Sequence, residues 1–310
     1  MNFAWVVGEG GLLGSSVKQQ LEGPVFSPAA RFDWSDPVPQ LTASLAEFFK
    51  QQPAGTRWQI FWCAGAGVVG TSAEAMAAET RSLCGFLDAL DPPGPGQLFV
   101  TSSAGGTFGA CEDQPLTELS PCLPVSEYGR QKLEQEQRVA RWSERHPETQ
   151  VLVGRFSNLY GPGQNTSKPQ GLISHLSRSL VCHRPIRLYV PLDTIRDYLF
   201  IEDAATRVIS AMERARELPA KFTVKIFASE QSVSISGLLA IFSRLARRQP
   251  RVIAAASPLT AQQPGRLQFK SVVLPEPSPG TDLVVGVQRV YREHLRQLQD
   301  GTLPLPAVEA

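Results

Sequence analysis

Tyr128 and Lys132 close the pentapeptide Tyr128-Gly129-Arg130-Gln131-Lys132, and this i, i+4 spacing puts both side chains on one face of a helix. A free phenol titrates near pH ~10, too high for a base at neutral pH, and an ammonium beneath the ring stabilises the phenolate. Ser102-Ser103 stands 25 residues earlier, counted from Ser103, and a serine hydroxyl there can donate to a substrate oxygen. Alone, Tyr-xxx-Lys reads as a solvated helix face. Its position one strand and one loop after a serine pair turns the reading toward proton transfer.

A second group of residues suits a phosphate. Gly8, Gly11 and Gly14 recur at every third position in Gly8-Glu9-Gly10-Gly11-Leu12-Leu13-Gly14, directly after the apolar run 3–7. Glycines there permit a tight turn, a close backbone approach to a pyrophosphate and close packing of helix on strand, and the helix N-terminus offers unpaired N–H groups. The residues bearing on such a ligand are Gly8, Gly11, Leu12, Leu13 and Gly14.

These residues need a scaffold. Apolar runs predict strands at 3–7, 25–27, 59–63, 97–101 and 151–156, with helices at 12–21, 39–51, 73–90 and 125–145 between them. Strands alternating with helices predict an α/β protein with a doubly wound parallel sheet of the Rossmann type. After Gly161-Pro162-Gly163 the pattern loosens into a helix near 171–181, a strand near 186–190, and a strand and helix across 198–215. A strand (221–227), a helix (236–247), a Pro-rich stretch and a last helix (287–298) follow. This predicts a dinucleotide-binding domain at 1–164 plus about 192–216, and a smaller C-terminal α/β substrate domain at 165–191 and 217–310. The tail from Leu303 is expected to be poorly ordered.

Composition narrows the partners. A net charge of +1 and no dense Lys/Arg run give no footprint for nucleic acid or an anionic membrane, which leaves a small molecule. The N-terminus lacks a basic leader, and its glycines arrive too early for a span, so a cytoplasmic protein is expected. The five cysteines (Cys63, Cys84, Cys111, Cys122, Cys182) lack CxxC spacing and read as reduced thiols; the four histidines lack ligand spacing, and no metal is expected.

Taken in order, GEGGLLG, TSSAGGTFG, YGRQK, GRFSNLYGPGQ (154–164) and RDYLFIEDAA (196–205) resemble the motifs of the extended short-chain dehydrogenases/reductases, the NAD(P)-dependent nucleotide-sugar epimerases, dehydratases and 4-ketoreductases. The resemblance spans roughly residues 3–215, with a weaker echo at 228–245 and 281–290. It implies a catalytic triad of Ser103, Tyr128 and Lys132, with Tyr128 as general acid/base and Lys132 also on the nicotinamide ribose. It further implies Cys63, Ala64, Gly65 and Phe156 around the cofactor, and Asn158 and Arg196 on the sugar diphosphate together with Ser103. An arginine fork and an amide donor suit phosphate oxygens; Arg196-Asp197 also reads as an ion pair between domains.

The departures bear on the reaction. The family's hydroxyl-bearing loop position falls on Ala104 and its tyrosine on Phe108, so Ser103 is chosen by its distance from Tyr128, with Ser102 and Thr107 as alternatives. Dehydratases carry Asp-Glu after that hydroxyl, where this chain has Ala104-Gly105, and the Cys needed for chemistry at C3 and C5 is absent. What remains is a sugar epimerase working through a 4-keto intermediate, or a one-way reductase of a 4-keto sugar. A non-catalytic NAD(P)-binding regulatory protein is the third reading, since fold alone never proves activity. The second strand ends at Ser27-Pro28 with no carboxylate to exclude a 2′-phosphate and with Arg31 close behind, which tilts the cofactor from NAD toward NADP. Asp33-Trp34 resembles the acidic dipeptide beside the adenine, and Asp33 reads equally as a turn cap. Helices 73–90 and 125–145 show more apolar residues than one sheet face needs, and the resemblance implies that they pair in a homodimer.

Overall fold

The fold is taken from a computed structural model that describes residues 1–256 and 263–303. The chain begins with β1 (Asn2–Val7), α1 (Leu12–Gln20), β2 (Val25–Phe26), α2 (Val38–Gln51), β3 (Arg57–Trp62) and α3 (Ala73–Ala89). It continues with β4 (Gly96–Ser103), the single turn α4 (Ala104–Thr107), α5 (Glu127–Arg145) and β5 (Thr149–Phe156). Then come β6 (Asn158–Tyr160), α6 (Leu172–Val181), β7 (Ile186–Leu188), β8 (Ile195–Phe200), α7 (Ile201–Ala215) and β9 (Phe222–Phe227). β10 (Ser232–Ser234), α8 (Ile235–Ala246), β11 (Val252–Ala254) and α9 (Leu283–Gln299) complete it.

Six parallel strands pair in the order β2-β1-β3-β4-β5-β9. Alternate side chains of each strand serve opposite faces. Phe3, Trp5 and Val7 pack with Leu41, Leu45 and Phe48 of α2, Leu83 and Phe86 of α3, and Val139 and Trp142 of α5. Ala4 and Val6 pack on the other face with Leu13 and Val17 of α1 and Val208 and Met212 of α7. Because β1 leads to β2 on one side and β3 leads away on the other, the order reverses between β1 and β3, and a crevice opens at their C-terminal ends. The Gly8 turn and Cys63-Ala64-Gly65 both lie there.

Beside this sheet, β8 sits between β6 (parallel) and β10 (antiparallel), and β7 pairs with β11. α6, α8 and α9 close over them around Tyr160, Leu176, Phe200, Leu238, Phe242 and Val287. Strand pairing corrects the sequence division in two places. β9, expected in the smaller domain, pairs with β5 from Val151↔Phe222 to Phe156↔Phe227, while β8, expected in the large one, joins the three-stranded sheet. β6, β10 and β11, three residues each, escape sequence analysis. The stretch beyond Leu303, read as a loose tail, lies outside the described residues; Leu303 itself is buried.

From α3 and α5, Leu83, Phe86, Leu87, Val139 and Trp142 pack on the sheet, and the outward side of α5 carries exposed Arg130, Gln137, Arg138 and Arg141. No helix among the described residues is long and apolar enough to cross a membrane.

One contact sets where Tyr128 stands. Gly129, the third residue of α5, lies against the backbone of α4 so closely that a Cβ on it would overlap Gly106 O. Gly129→Ala should therefore force α5 away from α4 and destabilise the fold by about 1–3 kcal/mol in urea unfolding, as overpacking does. A loss under about 0.5 kcal/mol would show that α5 can step back freely.

Candidate active site

The cofactor side is built from backbone. Gly8 has φ +89°, and a Cβ there would meet Ala64 N at 2.6 Å, so the turn after β1 and the loop after β3 touch only because residue 8 has no side chain. Gly11 N donates to Gly8 O (2.9 Å), and a Cβ on Gly14 would overlap Gly8 O, so α1 starts directly behind the turn. The N-cap Gly11 has no side-chain cap, which leaves the first turn, Leu12 and Leu13 included, to meet an anion with its N–H groups. A dinucleotide pyrophosphate fits this cradle.

Beyond β2, Arg31 is exposed. Asp33 Oδ1 accepts from Ser35 N (2.9 Å) and Ser35 Oγ (2.7 Å), the turn-capping role. Those bonds, the backbone one first, hold its carboxyl below the usual range. Trp34 meets the edge of Trp62 at 6.4 Å, which brings this loop beside the end of β3. Sequence analysis missed Lys18 and Glu9. Lys18 Nζ bridges Glu9 Oε2 (2.6 Å) and Ser27 Oγ (3.0 Å), so a carboxylate and an ammonium stand at the end of β2 although β2 contributes neither. Nothing in the local spacing signals this, because the packing of α1 against β2 is tertiary. Burial pushes the Cys63 thiol far up, leaving it protonated.

The residues that sequence analysis reads for proton transfer gather where β4 passes into α4. Ser103 is the N-cap of α4, its Oγ accepting from Gly106 N (3.1 Å) while it stays partly exposed. Ser102 is turned into the protein, donating to Glu136 Oε1 (2.6 Å), which is itself locked in a buried ion pair with Arg155 (2.6 Å). Thr107 is fully buried and donates to Ser103 O (2.9 Å). Of the three hydroxyls only Ser103 faces outward. Tyr128 packs on Gly106, where a Cβ would meet Tyr128 Cε1 at 3.0 Å. Lys132 Nζ lies 5.9 Å from the Tyr128 ring centroid and bonds Glu79 Oε1 (2.6 Å) and Gln135 Oε1 (3.0 Å). Burial works against the Lys132 charge, but Glu79 and then Tyr128 outweigh it, and the ammonium is held above the usual range.

The expected phosphate-binding residues flank this centre. Asn158 Nδ2 donates to Asp197 O (2.9 Å), joining β6 to β8. Arg196 is 8% exposed, and its Nη1 donates to Ile195 O (2.9 Å). Among the described residues no carboxylate pairs with it. Asp197 points elsewhere, accepting from Ser229 N and Ser229 Oγ, so the Arg196–Asp197 ion pair does not form. Burial lowers the Arg196 guanidinium from its usual range. The Phe156 side chain stacks on Phe227 (5.0 Å) in the core, so only its backbone reaches the strand end. A late segment also arrives unannounced. Residues 265–269 pair with Ile195 and Leu116, and Leu267 Cδ1 lies 3.5 Å from where Gly105 would carry a Cβ, walling the Ser103 loop.

Comparison with known proteins agrees with this architecture. A dTDP-L-rhamnose 4-epimerase of Burkholderia thailandensis is 31% identical over 121 residues, 39% of this chain and 32% of that protein. A dTDP-4-dehydro-6-deoxyglucose reductase of Escherichia coli is 28% identical over 117 residues, 38% of this chain and 37% of its own length. Each match thus spans about a third of the relative. A UDP-glucose 4-epimerase of Thermotoga maritima, solved with UDP-glucose, superposes with a TM-score of 0.78 at 16% identity, covering 96% of this chain and 100% of that one, which shows a common fold. Residues 31–226, more than half of the chain, match the NAD dependent epimerase/dehydratase family, and the chain belongs to that family.

Proposed function

We propose that this chain is an NAD(P)-dependent oxidoreductase acting on a nucleotide-diphosphate sugar in the cytoplasm, as an epimerase that passes through a 4-keto intermediate. The observation that carries the reading is the meeting of Lys132 with Tyr128 beside Ser103, the outward hydroxyl of its loop. A dinucleotide held at the Gly8 turn would supply the hydride acceptor and donor. Ser103 Oγ donates to the sugar oxygen and holds it toward Tyr128, whose phenolate oxygen takes the proton of the sugar hydroxyl and later returns it. Lys132 stabilises that phenolate and reaches the nicotinamide ribose. Arg196 is a guanidinium with no carboxylate among the described residues, and together with Asn158 it suits the sugar diphosphate.

The reductase reading rests on the adenosine end. Arg31 is exposed four residues beyond Ser27, and Lys18, bonded to Ser27 and paired with Glu9, stands at the end of β2; a fold that accepts a 2′-phosphate there suits a cofactor exchanged at each turnover rather than retained. Free thiols at all five cysteines accord with a reducing compartment. A homodimer through α3 and α5 belongs to the same proposal.

Tyr128→Phe removes one hydroxyl and keeps the ring on Gly106, so cofactor binding should stay nearly intact while turnover falls by about 10²–10⁴-fold. Retention of more than about a tenth of the activity would end the acid/base assignment. Arg31→Ala should weaken NADP by about 1.5–3 kcal/mol and leave NAD almost unchanged in isothermal titration. Equal losses for both cofactors, or a parent chain that prefers NAD by more than about tenfold, would remove Arg31 from the 2′-phosphate site.

A further inference from the structure

Glu79 lies on α3, outside every motif read from the sequence, yet its carboxylate is engaged on all sides. Oε1 accepts from Lys132 Nζ (2.6 Å) and, at the limit of reach, from Gln135 Nε2 (3.5 Å). Oε2 accepts from Ala66 N (2.9 Å) and Gly67 N (3.0 Å) in the loop that follows Ala64. Those four donors use the lone-pair directions a carboxylate has, so no acceptor site is left for a ligand proton. Lys132 has three N–H bonds, of which Glu79 and Gln135 take two. No described residue takes the third, and the Tyr128 ring centroid lies 5.9 Å from Nζ.

We infer that Glu79 is a positioning residue for Lys132, tying it to the 64–67 loop so that its third N–H is presented to the nicotinamide ribose. The inference rests on the function proposed above. Glu79 acts on the reaction only through Lys132, and it does so by geometry and by charge. The geometry links the two halves of the site: Ala64 touches Gly8 of the phosphate turn, Ala66 and Gly67 hang on Glu79, and Glu79 holds the lysine of α5.

The charge follows from what surrounds Lys132. α3 contributes Glu79, and α5 contributes Tyr128 and Glu136, the latter bound to Arg155 of β5. The 64–67 loop contributes only N–H groups, and Thr80 and Gln135 are neutral. With Glu79 in place the ammonium is favoured. With a neutral residue there, burial is the strongest influence left and it favours the uncharged amine, so Lys132 should lose its proton as pH rises.

The test is isothermal titration of NADP and of ADP, which carries the adenosine half alone, against the full chain, Glu79→Gln and Glu79→Asp. In the parent and in Glu79→Asp, NADP affinity should stay within about threefold between pH about 7 and about 9.5; in Glu79→Gln it should fall about tenfold or more over that interval, with ADP unaffected. Equal weakening of NADP and ADP at both pH values, or a Glu79→Gln chain that tracks the parent, would overturn the inference while leaving the function standing. A parent that binds neither NADP nor NAD overturns the proposed function and this inference with it.

Discussion

A parallel sheet presents an apolar row on each face, and neither row can be left to water. In this chain Trp5 and Trp58 on one face and Phe61 and Phe99 on the other are all but fully buried, which requires a helix crossover after nearly every strand. Each crossover brings the chain back to start its next strand at the same edge, so the strand ends that carry Gly8, Ala64, Ser103 and Phe156 gather along the opposite one. The site is a consequence of covering the sheet.

Charges inside such a core are expensive to desolvate, and those retained here are joined into networks that fix backbone. Glu136 and Arg155 bond through two nitrogens and both carboxylate oxygens, take in the Ser102 hydroxyl, and lie beneath Phe108, with the guanidinium 5.2 Å from its ring. They hold the floor of the loop from which Ser103 looks outward. Lys225, fully buried on β9, binds Glu276 and the carbonyls of Val273 and Leu274, which anchors the late segment whose Leu267 walls that same loop. Glu79 and Lys132 do the same between α3 and α5.

At the end of β2 the charges are held differently: Lys18 and Glu9 pair directly at 2.6 Å while both stay partly exposed, so water screens the pair that in the core would be desolvated.

The sequence alone determined the elements whose signals are local. A run such as 3–7 followed by glycines at every third position can hardly be other than a strand, a tight turn and a helix, and Tyr128 with Lys132 share a face because helix geometry requires it. β6, β10 and β11 escaped, and β9 was misplaced because an apolar run does not say which sheet it will join. That Ser102 and Thr107 turn inward while Ser103 stays partly exposed needed the direction of each hydroxyl, and the turn-capping role of Asp33 needed the position of Ser35. Glu9 with Lys18, and Glu79 with Lys132, were decided by tertiary structure alone: partners 9 and 53 residues apart meet only through the packing of separate elements, and no propensity or spacing in one segment carries the coordinates of another.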